Sequence, residues 1–229
     1  MVIGGFQPVT LLDYPQKVAA IIFTSGCNMR CPFCYNYKLV LPEYLDKEKS
    51  FEEKQILSFL KKRKKYLDGL VITGGEPTIQ KDLPRFLDEV KQMGYSVKLD
   101  TNGLLPEILK KLVSQKLIDY IAMDIKGPLA EYSKYCGITD TSNIKESIAL
   151  VIGSGLSYEF RTTFAKGLHS VEDAVKIGKD IKGAQLYFLQ GFKDEPTLDP
   201  KAKLSGFTLA EMEKMRLQCE KFVKNCSIR

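Results

Sequence analysis

The chain has 229 residues, 44% of them hydrophobic and 27% charged, which suits a globular protein with one sizeable core. No apolar run approaches the ~20 residues of a membrane-spanning helix, and the opening "MVIGGFQPVTLLDYP" lacks the regions of a signal peptide. The expectation is a cytoplasmic protein, net charge +6, whose six cysteines stay reduced, so that clustered thiols point to metal rather than to disulfides.

In chain order, the first apolar, β-branched stretch is "VAAIIFTS" (18–25), followed at once by Cys27, Cys31 and Cys34. A helical period then runs over 51–67, opened by Ser50 before "FEEK" and carrying the basic run Lys61 to Lys65. That run reads as a solvated helix face. It gives nucleic-acid binding weak support, and a docking patch for an acidic protein is equally permitted. Next come "GLVITGG" (69–75), a helix over 81–93 begun at Asp82, "SVKLDTNG" (96–103), a helix over 104–116, and "YIAMDIKG" (120–127). A helix over 142–154 begun at Asn143, "YEFRTTFA" (158–165), a helix over 170–181 begun at Ser170, and "AQLYFLQGF" (184–192) complete the alternation. Gly94 and Gly155 sit where left-handed helix caps are wanted. "KDEPTLDPKAKLSGF" (193–207) is the most loop-like segment, and the last helix is expected over 208–225.

Six strands alternating with helices predict parallel βαβ units in an α/β fold, as one domain over 1–229 with its core about 18–192. The pattern alone leaves an open doubly wound sheet and an incomplete barrel both available. In either, function collects at the C-terminal ends of the strands.

The cysteine triplet occupies the first of those ends. Structural zinc closes its tetrahedron with four ligands, and the further donors, His169, Cys136, Cys219 and Cys226, are remote in sequence. An iron–sulfur cube accepts three thiolates when its fourth iron takes an outside ligand; zinc stays the alternative. Gly74, Gly75, Glu76 and Pro77 end the second strand, where two glycines admit close approach to backbone and a carboxylate can hold an ammonium. Asp100 and Asp124 end the third and fourth strands, and charges there call for partners; a structural pair between Asp100 and Lys126 is one reading. Arg161 can fork onto a carboxylate, and Gln190 can bond a hydroxyl. His169 reads as a surface or capping histidine without a role, and Cys219 and Cys226 as packing residues near one face of the last helix.

Cys-x3-Cys-x2-Cys after a first strand, with Phe33 before the last cysteine, resembles the signature of the radical S-adenosylmethionine superfamily; "GGEP", "LDTNG" and "MDIKG" follow in the order of its motifs. The resemblance covers roughly residues 4 to 192 and implies a partial (β/α)6 TIM-like barrel. It implies a [4Fe-4S] cluster on Cys27, Cys31 and Cys34, its open iron chelated by S-adenosylmethionine. Gly74, Gly75 and Glu76 would hold the methionine amino group and Lys126 its carboxylate. Asp100 and Asp124 would face the sulfonium or ribose, or a monovalent cation. Cofactor contacts are implied for Phe33, Tyr35, Asn102, Arg161 and Gln190 as well.

The opening "IGGFQPVTLLDYPQKVAAIIFTSGCNMRCPFCYN" is similar to that of activating proteins for anaerobic ribonucleoside-triphosphate reductase. That likeness implies reductive cleavage of S-adenosylmethionine to a 5′-deoxyadenosyl radical, which takes hydrogen from a glycine of a glycyl-radical enzyme. The electron would come from a flavodoxin- or ferredoxin-type donor, with neither membrane nor nucleic acid as partner. The chain has no second cysteine cluster and few residues for a substrate-enclosing domain, as suits a substrate that arrives as a loop of another protein. The rivals are a radical enzyme acting on a small molecule such as a purine-derived base, and a zinc-bound interaction module, which leaves "GGEP" and "DTNG" without purpose.

Overall fold

The structure, a computed structural model, describes residues 1–44 and 50–229. Eight strands follow one another in chain order along the sheet: β1 Ile3–Thr10, β2 Ala19–Thr24, β3 Gly69–Gly74, β4 Ser96–Thr101, β5 Tyr120–Asp124, β6 Ser157–Phe164, β7 Tyr187–Gly191 and β8 Cys226–Ile228. β2, β3 and β4 pair in parallel, as do β6, β7 and β8, whereas β1 runs antiparallel to β2. The helices are α1 Tyr37–Val40, α2 Glu53–Arg63, α3 Leu83–Gln92, α4 Pro106–Ser114, α5 Tyr132–Cys136, α6 Ser142–Gly153, α7 Val171–Asp180 and α8 Leu209–Cys219. This is the expected α/β alternation with a strand added at each end. None of the described helices is long and apolar enough to cross a membrane.

The chain falls into two compact units. The first comprises Met1–Asn28, Asn36–Thr101 and Glu107–Ile121. Ala19, Ile21 and Val71 pack with Tyr14, Tyr120 and Phe23 on one face of its strands. The alternate residues Ala20, Ile22, Leu70, Ile72, Val97 and Leu99 are buried too, which is why these strands read as continuous apolar runs. Leu83, Phe86, Leu87 and Val90 form the buried stripe of α3 at helical spacing. α2 starts from a capping box at Glu52 and Gln55, not from Ser50. Its basic end is solvated, with Lys61, Lys62 and Arg63 exposed in the last turn where they complement the helix dipole. Lys64 is structural: its Nζ donates to Gly94 O at 2.9 Å and lies over the Tyr95 ring.

The second unit comprises Met29–Tyr35, Asn102–Pro106 and Ala122–Arg229. Phe160, Phe164, Tyr187, Leu189, Ile177 and Met215 are buried in it. Ser170 opens α7 with a capping box to Asp173, as expected. The last helix is shorter than its period suggests. α8 stops at Cys219, and Cys226 begins β8, so the two cysteines share no helix. The reason is the open edge of β7: Tyr187 N donates to Asn225 O, and Arg229 N to Leu189 O, at 2.9 Å each. Pairing that edge satisfies a row of backbone groups that a longer helix would leave open. Both thiols are nevertheless buried, as the packing reading requires.

Candidate functional site

Two strand ends of the first unit meet at very short range. Gly75 N donates to Thr24 O and Glu76 N to Gly26 O, both at 2.8 Å. A Cβ on Gly75 would lie 2.0 Å from Gly26 O, and Gly74 takes a φ of +116° that side-chain-bearing residues avoid. The Gly-Gly step is thus what lets the end of β3 lie against the Ser25–Gly26 backbone that leads into Cys27. Asn36 Nδ2 donates to Gly74 O at 3.2 Å and steadies the same turn.

Glu76 is buried, and its Oε1 accepts three hydrogen bonds: from Thr78 N at 3.0 Å, Thr78 Oγ1 at 2.6 Å and Thr101 Oγ1 at 2.7 Å. Donors converging on one oxygen fix the orientation of the carboxylate. Thr78 and Thr101 carry no obvious signal in the sequence beyond lying beside Glu76 and Asp100. Asp100 meets Lys98 at 2.7 Å on the same face of β4, and Lys126 meets Asp124 at 3.2 Å. Each of these carboxylates thus has a lysine two residues away on its own strand or strand end. The i, i+2 spacing of Lys98–Asp100 and Asp124–Lys126 puts each pair on one side of its strand or strand end, a signal the sequence does contain.

In the second unit the Met29–Tyr35 part of the cysteine loop is held by its backbone. Cys34 N donates to Cys31 O at 3.1 Å, and Arg30 N to Cys136 O at 3.0 Å. The segment after β7 runs alongside, with Leu198 N donating to Cys34 O and Asp199 N to Pro32 O, both at 3.0 Å. Tyr35 stacks on Phe192 at 5.4 Å; its hydroxyl accepts from Lys193 N at 2.6 Å and donates to Lys193 O at 3.1 Å. Cys31 and Phe33 are buried, while Cys27 and Cys34 are partly exposed.

Beside this loop the charges alternate. Lys126 pairs with Asp124, Asp124 accepts from Arg161 Nε at 2.9 Å, Arg161 lies 3.8 Å from Glu159, and Glu159 takes a fork from Arg229 at 3.0 and 3.2 Å. Burial would raise the Asp124 carboxyl, but Arg161 and Lys126 bring it down to about 2. Burial likewise opposes the Lys126 ammonium, yet Asp124, and after it Cys31 and Tyr132, hold it above its ordinary value. Cys31 is thus near enough to Lys126 for a thiolate there to stabilise the ammonium. Lys126 N also donates to the Tyr132 hydroxyl at 3.2 Å. Gln190 accepts from Thr163 Oγ1 at 3.4 Å, and buried Asn102 closes its turn by accepting from Leu104 N at 3.0 Å. His169, expected at the surface or as a capping residue, is 5% exposed and packs against Phe33.

Among the described residues no three His, Cys, Asp or Glu side chains are already drawn into a metal-holding array. What fits an iron–sulfur cluster is the donor set: three thiols within residues 27–34, on a loop whose backbone is pinned, with an ammonium beside Cys31. The profile of the radical SAM superfamily matches residues 21–174, more than half of the chain. The chain belongs to the radical SAM superfamily. A protein of Methanocaldococcus jannaschii named as a candidate glycyl-radical enzyme activating enzyme is 34% identical over 236 residues, covering 99% of this chain and 95% of the relative. The structure of Streptococcus suis SuiB bound to S-adenosylmethionine superposes with a TM-score of 0.68 at 15% identity, over 91% of this chain; the chain spans 49% of SuiB. A domain of pyruvate-formate lyase-activating enzyme from Bacteroides vulgatus gives 0.55 at 14% identity, over 70% of this chain and 98% of that one. These likenesses show the fold: a radical SAM α/β partial barrel with a mostly parallel eight-stranded sheet. The chain is therefore a radical SAM enzyme, and membership implies a [4Fe-4S] cluster and S-adenosylmethionine as its cofactors.

Proposed function

We propose that this radical SAM enzyme is a cytoplasmic activase, acting as a single domain, that installs a glycyl radical on anaerobic ribonucleoside-triphosphate reductase. The observation that carries the activase reading is the end-to-end likeness, at 34% identity, to a relative named for that activity. When bound, the cluster, fed by a flavodoxin- or ferredoxin-type donor, supplies one electron, and S-adenosylmethionine the 5′-deoxyadenosyl group that takes hydrogen from the partner's glycine.

Cys27, Cys31 and Cys34 would hold the cluster through their three thiolates. Gly74 and Gly75 give the methionine end close access to the backbone, and Glu76, fixed by Thr78 and Thr101, accepts from its ammonium. Lys126, kept charged by Asp124, meets the carboxylate. Arg161 braces Asp124; Asp124 and Asp100 would each face the sulfonium or ribose, or a monovalent cation. Phe33, Tyr35, Asn102 and Gln190 would contact the bound cofactor.

Mixing the anaerobically reconstituted and reduced protein with the reductase and S-adenosylmethionine should give a glycyl doublet by electron paramagnetic resonance, together with 5′-deoxyadenosine. Cys31→Ala should abolish both. Release of 5′-deoxyadenosine without a doublet would overturn the reductase as partner; full cleavage by Cys31→Ala would overturn the assignment of the cysteines.

A further inference from the structure

His169 is the chain's single histidine, and it is buried in a setting that leaves its imidazole one arrangement. Ala165 N donates to Nδ1 at 3.2 Å, so Nδ1 carries a lone pair and the ring proton sits on Nε2. Nε2 lies 2.9 Å from Lys126 O, which can only accept. Both ring nitrogens are thereby used. The ring faces are used as well: Phe33 stands edge-on at 5.5 Å, Phe164 edge-on at 5.3 Å, and Tyr135 is tilted over it at 4.7 Å.

These contacts join two parts of the site that sequence separates. Phe33 lies between Cys31 and Cys34, while Lys126 carries the ammonium beside Cys31. The third neighbour is itself locked. Tyr135 donates its hydroxyl to Asp173 at 2.9 Å, and Asp173 accepts from Ser170 N at 2.9 Å in the capping box of α7. Tyr135 also presses on Gly127, where a Cβ would meet the ring at 2.2 Å. The Lys126–Gly127 turn is therefore gripped by the imidazole through its carbonyl and by Tyr135 through its missing side chain.

We propose that His169 is a positioning residue that, as the neutral Nε2–H tautomer, holds Phe33 of the cysteine loop in register with the backbone of Lys126. No other side chain offers an acceptor on one side and a donor on the other within an aromatic ring. Phenylalanine would keep the packing and leave Ala165 N and Lys126 O unmet; glutamine could keep the bond to Lys126 O and would lose the packing. Burial first of all holds the imidazole neutral, in keeping with this arrangement. The proposal rests on the reading that Cys27, Cys31 and Cys34 hold the cluster.

Because there is one imidazole, its nitrogen resonances in the full-length 15N-labelled protein are unambiguous, and they should report the Nε2–H tautomer at pH 7.5. The reconstituted wild type, His169→Phe and His169→Gln are then compared for loss of the ~400 nm absorbance under an iron chelator and for S-adenosylmethionine affinity. Losing one buried hydrogen bond corresponds to at most about tenfold, so His169→Phe, which loses two, should shed its cluster at least about tenfold faster than wild type, with His169→Gln, which loses one, in between. Binding of S-adenosylmethionine should weaken in the same order. An Nδ1–H or doubly protonated ring would overturn the proposal. So would variants whose cluster lifetime and cofactor affinity both equal the wild type's. Failure of the wild type to take up iron would sink the cluster reading, while the tautomer would still be read by the resonances.

Discussion

Gly75 and Glu76 set the tolerance of the site at the level of single atoms. The next carbon on Gly75 has nowhere to go, because Gly26 O already occupies its place 2.0 Å away. Gly75→Ala should therefore push the end of β3 off the stretch leading to Cys27, at a cost of about 2 kcal/mol, as overpacked positions show. Urea unfolding of the reconstituted protein measures it, and a midpoint equal to the wild type's would mean that the strand ends do not approach as described. The sequence makes Gly74, Gly75 and Glu76 conspicuous, because consecutive glycines before a carboxylate at a strand end are a local signal. It says nothing of Thr101, which reaches Glu76 from another strand, 25 residues away in sequence. His169 is misjudged for the same reason. A histidine in a loop reads as exposed unless the rings that cover it, contributed by residues 33, 135 and 164, are known.

Among elements, the cysteine loop and the segment after β7 depend on each other. Residues 193–207 read as loop in the sequence because proline, aspartate and glycine break any period; that they run alongside Pro32 to Tyr35 depends on where β7 ends. The Tyr35 hydroxyl bonds both backbone groups of Lys193, 158 residues away in sequence. Tyr35→Phe keeps the stacking on Phe192 and removes both bonds to Lys193, whose carbonyl still accepts from Glu195 N, for about 1 kcal/mol. The variant should fold and take up iron yet release it to chelator several-fold faster than the wild type; an unchanged release rate would show that this clasp does not steady the loop. The shortened α8 belongs to the same scale. Its helical period continues past Cys219, but the bare edge of β7 recruits residues 224–229 instead.

For the molecule as a whole, acid acts through two windows. Burial keeps His169 neutral and lowers its pKa, against the ring's bonds to the Lys126 and Ala165 backbone and the charge of Asp173, with Lys134 adding to the lowering. The unfolded chain takes up a proton below about pH 6.5 and the folded chain resists, so stability falls as pH drops, by up to about 1.4 kcal/mol per pH unit. Asp124 works lower: with its folded value near 2 against 3.8, its contribution is present above about pH 4 and is lost as pH falls towards 2. His169→Phe should flatten the slope of urea stability between pH 7 and 5.5 and leave the acid window unchanged. Parallel slopes for the two proteins would contradict a neutral buried imidazole. By itself the sequence determined the order of strands and helices, the three-thiol loop after the first predicted strand, and the glycines and carboxylates at the strand ends that follow. Periodicity, caps and tight turns are decided by neighbours a few residues apart. Only the tertiary structure decided that Lys126 takes Asp124 and Asp100 takes Lys98, that Thr101 clamps Glu76, that a C-terminal strand closes on β7, and that one histidine joins Phe33 to Lys126. Several of those contacts link residues far apart in the chain, and all depend on strand register and burial, which local sequence patterns do not encode.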